Sequence, residues 1–160
     1  MTPNFLIIID NKNDEPPEIL HSLKFAVDNM LDCMKMIIPE PLLAIATFDE
    51  KLYDFTAVTE IKLADLPKKL DNSAKTKMTT NKLAEVIGKR AMADKTLVNI
   101  LLSTGDFPTL RLRFEGPTYA IALGNISQYG QLAYFTKNID RVFSPHAAHF
   151  LPLFALEKKY

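Results

Sequence analysis

The chain has a single cysteine, Cys33, so it forms no intramolecular disulfide and no thiolate metal cluster. Glycine is nearly as scarce. With five glycines in 160 residues, neither GxGxxG nor the P-loop pattern occurs, which excludes a phosphate-cradling loop of either kind. Net charge is missing too: 19 basic residues balance 19 acidic ones, leaving no global field to draw the protein to nucleic acid or to an anionic membrane. No long apolar run is present. The first, Phe5 to Ile9, spans only five residues and nothing basic precedes it. We therefore expect no signal or transmembrane segment, and a cytoplasmic setting. Histidine is limited to His21, His146 and His149, and no Gly-x-Ser-x-Gly elbow accompanies them, so a hydrolase triad has no support.

What the chain does have is an ordinary globular composition, 48% hydrophobic and 24% charged, at a length that suits one domain spanning residues 1–160. The stretch FLIIIDNKND, residues 5–14, organises the rest. Its apolar run does not alternate, and a strand apolar on both faces belongs at the centre of a parallel sheet covered by helices. Asp10 stands where that strand gives out. In open α/β sheets, ligands bind in the crevice outside the carboxyl ends of the strands.

Pro16 and Pro17 open a helix to about Ile38, with Leu20, Leu23, Val27, Met30 or Leu31, Met34 and Ile38 at helical spacing. Cys33 and the methionines Met30, Met34 and Met36 are expected to fill core. Residues 42–48 form a second apolar strand. Residues 52–61 alternate more and read as an edge strand antiparallel to the others. A short helix over 63–70 and a polar loop over 71–78 follow. Thr79, Thr80 and Asn81 supply N-cap chemistry for a helix running to about Ala93. Strands over 97–102 and 118–123 come next, the first running into the polar loop Ser103-Thr104-Gly105-Asp106.

Ser127 is the expected cap of a helix using Tyr129, Leu132, Ala133 and Phe135. A brief strand at 141–143 and a helix over 146–158, carrying Phe150, Leu151, Phe154 and Leu156, complete the chain. Strands alternate with helices throughout, so the fold class is α/β, a doubly wound and mostly parallel sheet with helices on both faces and one antiparallel edge strand.

The pieces FLIIID, LLAIATFDE, TTNKLAEVI, LVNILLSTGDFPT and YAIALGN, in that order, resemble the von Willebrand factor A-type domain across essentially the whole chain. The likeness is to compact single-domain bacterial members, some associated with tellurium-resistance operons, which implies a stress-response or immunity accessory role. The resemblance also implies a metal-ion-dependent adhesion site. In the family, Asp-x-Ser-x-Ser follows the first strand, a second loop gives a Thr, and a third gives an Asp in a Thr-Asp-Gly pattern. Here Asp10 matches the first Asp, but Lys12 and Asp14 stand where the two serines belong. Thr80 or Asn81 falls at the Thr. Thr104 replaces the third-loop Asp, Gly105 is kept, and Asp106 lies two positions on.

These departures bear on metal binding. Magnesium wants oxygen ligands in tight octahedral geometry. An ammonium about 4 Å from a divalent ion repels it by several kcal/mol even at an effective dielectric of about 20. Lys12 paired with Asp10 and Asp14 instead places a cation where the metal would be. We therefore expect a degenerate site without metal or other cofactor, in a non-enzymatic module that binds another protein through Asp10, Lys12, Asp14, Thr80, Asn81, Thr104 and Asp106. A homo-oligomer is compatible with the sequence.

Two rival functions remain. One is a magnesium- or manganese-dependent adhesion or hydrolase site on Asp10, Asp14 and Asp106. The other is a purely structural subunit that buries a strand edge or the terminal helix in a larger complex. FLPLF, residues 150–154, would be an exposed stripe for it, although a helix closing the outer face of the sheet explains that stretch better. Arg111, Arg113 and Phe114, following the loop of the fourth strand at the site edge, would suit an acidic partner, although solvated loop charges explain them equally well.

Overall fold

The computed structural model describes residues 5–10, 17–38, 40–47, 52–57, 84–85, 87–105, 112–123 and 128–159. The expected helix at 63–70 and loop at 71–78 lie outside them. β1 (Phe5–Ile9) is buried along its whole length, as a run apolar on both faces requires. It pairs in parallel with β2 (Leu42–Thr47) on one side and with β4 (Val98–Ser103) on the other. β4 pairs in parallel with β5 (Thr118–Ala122), and β5 with the two-residue β6 (Val142–Phe143). β3 (Leu52–Ala57) runs antiparallel beside β2 with a register shift between Leu43 and Ile45. The strand order among the described residues is β3-β2-β1-β4-β5-β6. Successive strands therefore add outward in opposite directions from β1 and β4, and the topological switch point falls between these two.

The alternation of side chains along β1 divides the core into two layers. Phe5, Ile7 and Ile9 face α1 (Pro17–Ile37), where they meet Leu23, Val27, Met30 and Met34, and α4 (Leu151–Lys159), where they meet Leu151 and Ala155. Leu6 and Ile8 face the other layer, with Ile87, Phe114, and Leu132 and Phe135 of α3 (Tyr129–Thr136). Burying each of these large side chains is worth roughly 2 kcal/mol. Helices on both faces explain why β1 cannot alternate.

Several expectations change in detail. The helix expected to run unbroken to Ala93 is interrupted at Gly88, whose φ of 89° lies outside helical space; helical Ala84, Glu85 and Ile87 precede it and α2 (Lys89–Ala93) follows. Ser127 lies outside the described residues, and the N-cap of α3 is Gln128, which makes no side-chain cap bond. Tyr129 is exposed, and α3 buries Leu132, Phe135 and Thr136. The last helix starts at Leu151 rather than His146, after a 3-10 turn at Pro145–Ala147. Pro152 is the reason: without an N–H it cannot bond back to Ala148, but it costs nothing in a first turn.

Helical spacing also decides the methionines. Met30 and Met34 are fully buried, whereas Met36 points outward and is 85% exposed. Cys33 is half-buried against α4, and burial pushes its thiol up while a hydrogen bond with the Leu153 backbone opposes that shift.

Tyr119 joins the sheet to the last helix. Its ring lies 6.0 Å from that of Phe154 and 6.4 Å from that of Phe143, and the Arg141 guanidinium sits 5.4 Å from its centroid. Burial pushes the phenol up, and the positive charge of Arg141 partly opposes this. The folded state thus keeps a proton that the unfolded chain releases near the ordinary tyrosine range, so stability falls as pH rises through that range. We expect the fall in urea midpoint between about pH 9 and 11 to be smaller in Tyr119→Phe than in the native chain. An identical pH dependence in the two would contradict this placement of Tyr119.

Candidate functional site

The site lies at the carboxyl ends of β1 and β4. Their register pairs Ile9 with Leu102, so the next residues, Asp10 and Ser103, emerge side by side at the switch point. The Asp10 amide donates to the Leu102 carbonyl at 3.0 Å, extending the ladder by one rung. Asp10 is only 4% exposed. A carboxylate so deeply placed is tolerated where it is hydrogen-bonded. The Ser103 hydroxyl donates to Asp10 Oδ2 at 2.7 Å, and the Gly105 amide donates to Ser103 Oγ at 2.9 Å. Ser103 thereby relays a backbone dipole to the carboxylate. A hydrogen bond to a charged acceptor is short and about twice as strong as a neutral one.

The third loop is fixed by the helix that follows β5. The Thr104 carbonyl accepts from the Gln128 amide at 2.6 Å, and the Leu123 amide donates to the Ser103 carbonyl at 3.0 Å. Gly105 has a φ of 80°, and a Cβ there would stand 2.6 Å from the Gln128 carbonyl oxygen. Glycine is therefore required twice at this position, by backbone conformation and by the closeness of the start of α3. Thr104 is buried beside Ser103.

Of the residues expected at the site, the structure brings together Asp10 and Thr104. Lys12, Asp14, Thr80, Asn81 and Asp106 lie outside the described residues. Ser103 was not among those expected. In the sequence it is only a hydroxyl ending an apolar run; the structural register sets it one residue beyond the partner of Ile9. Arg113 and Phe114 belong elsewhere. They precede β5 and so approach the amino edge of the sheet, opposite Asp10. All three histidines are exposed, and the His146 ring lies edge-on to Phe25 at 5.5 Å.

A magnesium-type site needs about six oxygens in near-octahedral array. The described edge supplies one carboxylate and two hydroxyl side chains, and the Ser103 proton is directed at the carboxylate itself. No group of three or more histidine, cysteine or acidic residues able to hold a metal occurs among the described residues. These donors do not by themselves compose a divalent-cation site. No described helix is long and apolar enough to cross a membrane.

We expect Gly105→Ala to lower the unfolding free energy by about 2–4 kcal/mol, from the left-handed backbone and the crowding at Gln128 together. Urea denaturation measures it; a loss below about 1 kcal/mol would contradict the packing of this loop.

No protein-family model matches the chain, and no curated protein matches it by sequence. Among solved structures it is similar to proximal thread matrix protein 1 from the mussel byssus. One crystal form gives a TM-score of 0.61 at 14% identity, over 96% of this chain and 47% of that one. A structure of the same mussel protein with zinc in its metal-ion-dependent adhesion motif gives 0.61 at 12% identity over the same shares. The chain thus spans about half the length of these neighbours. At such identity the likeness is one of architecture, and it agrees with the strand order and the two helical layers: the chain has the fold of the von Willebrand factor A domain.

Proposed function

We propose that the protein is a non-enzymatic interaction module that binds another protein through the loops at the carboxyl edge of its sheet, without a bridging metal. One observation carries this: a buried carboxylate, Asp10, stands at the topological switch point with the Ser103 hydroxyl on one of its oxygens. That is where α/β sheets present ligand-binding groups. A solved structure of similar fold, from mussel byssus, carries a zinc-occupied metal-ion-dependent adhesion motif. The sequence departs from that motif where it matters for a cation. Lys12 puts an ammonium in place of a hydroxyl ligand, and Thr104 puts a neutral group in place of a carboxylate. Lys12, Asp14 and Asp106 then serve as charged groups for a partner's complementary side chains. Recognition would rest on hydrogen bonds and charge pairs, which fix orientation and speed encounter more than they add affinity.

Isothermal titration of metal-stripped protein with Mg²⁺ and with Mn²⁺ tests the proposal. We expect no heat from the native chain and a gain of binding in Lys12→Ser, where a neutral hydroxyl replaces the ammonium. Binding by the native chain that disappears in Asp10→Ala would overturn it and restore a metal-bridged site.

A further inference from the structure

A second concave site lies away from the Asp10 edge. A cavity of about 400 Å³ opens between the segment that leads into β5 and the C-terminal half of α3. This volume is in the range of small-molecule sites, which pair an apolar lining with a few placed polar groups. Leu112 and Phe114 line one wall, and Ala133 and Phe135 the other. The Phe114 and Phe135 rings meet edge to face at 6.1 Å, nearly perpendicular, and close the floor. Both are buried, at 4% and 5% exposure, so the floor is rigid and apolar.

The rim is different in kind. Arg113 and Lys137 line it, both exposed, and Tyr134 stands beside them at 65% exposure. No acidic side chain is part of the described lining. Two cations over an aromatic floor, with a phenol able to donate, complement an anion attached to an apolar body. A guanidinium also matches a carboxylate geometrically, through paired N–H donors.

Lys137 adds a separate indication. It caps α3 with φ 65° and ψ 6°, and it is the one non-glycine residue at positive φ among those described. Glycine is the inexpensive choice at this position, and a side chain there costs roughly 1 kcal/mol or more. The backbone bears this cost while carrying an ammonium at the mouth of the cavity. Thr136, whose hydroxyl donates to the Asn138 carbonyl at 2.6 Å, helps hold the turn in place. Strain kept at one point of a concave surface is a pointer to function.

We propose that this cavity binds a small amphipathic carboxylate, its apolar body on Phe114 and Phe135 and its carboxylate between Arg113 and Lys137. The site is independent of the Asp10 edge, so the partner-binding proposal stands or falls separately. Calorimetric titration with 4-phenylbutyrate and octanoate, each beside its uncharged primary amide, tests it in the native chain, Arg113→Gln and Lys137→Gly.

We expect saturable binding of at least one carboxylate, about tenfold weaker for the amide and about tenfold weaker in each variant. Lys137→Gly should meanwhile unfold at an equal or higher urea concentration, because it relieves the left-handed backbone. Loss of binding in Lys137→Gly therefore cannot be loss of fold. No saturable binding of either carboxylate, or equal binding of acid and amide unaffected by both substitutions, would overturn the proposal.

Discussion

Burial of β1 on both faces is the constraint on which the rest of the structure depends. Five consecutive apolar side chains, each at 2% exposure or less, require a helical layer above and another below the strand. α1 and α4 supply one layer, and α3 with the segment around Phe114 supplies the other. A central strand must also have partners along both edges, which β2 and β4 provide in parallel. Parallel partners bring the carboxyl ends of β1, β2, β4 and β5 to one side of the sheet. The position of Asp10 thus follows from the apolar run that precedes it.

The same constraint accounts for the chemistry at that edge. A carboxylate left at the end of a fully buried strand loses much of its water and must find donors in the protein. Ser103 is the residue that β4 delivers there, and its hydroxyl is in turn oriented by the Gly105 amide. The loop that carries Gly105 is held by Gln128 at the start of α3. Packing of a helix on one face of the sheet and polarity at its edge are coupled through a single tight turn. The cavity at the opposite end uses the other terminus of the same helix, where Lys137 replaces the glycine that helix ends favour.

Much of this architecture was legible in the sequence because its strands are uninterrupted apolar runs and its first helix is strongly periodic. The bounds of α1, β2, β4 and β5 differ from those expected by one residue or so. Signals of one residue were harder to weigh. Gly88 breaks a helix whose apolar spacing continues through it, and Pro152 delays a helix that its hydrophobic residues suggest begins earlier. Ser103 looked like the first residue of a loop. Only the register of β4 against β1 turns it into the partner of Asp10, and register across 93 residues is not a local property. Similarly, the Arg113 cavity depends on α3 returning to the start of β5, which spacing within the segment does not reveal.

The contact between Asp10 and Ser103 is the centre of this account, and a double-mutant cycle measures it most directly. Urea unfolding of the native chain, Asp10→Ala, Ser103→Ala and the double variant isolates their coupling from the cost of each truncation. We expect a favourable coupling of about 1–3 kcal/mol, as befits a buried hydrogen bond to a carboxylate. Additive effects, with coupling below about 0.3 kcal/mol, would contradict it.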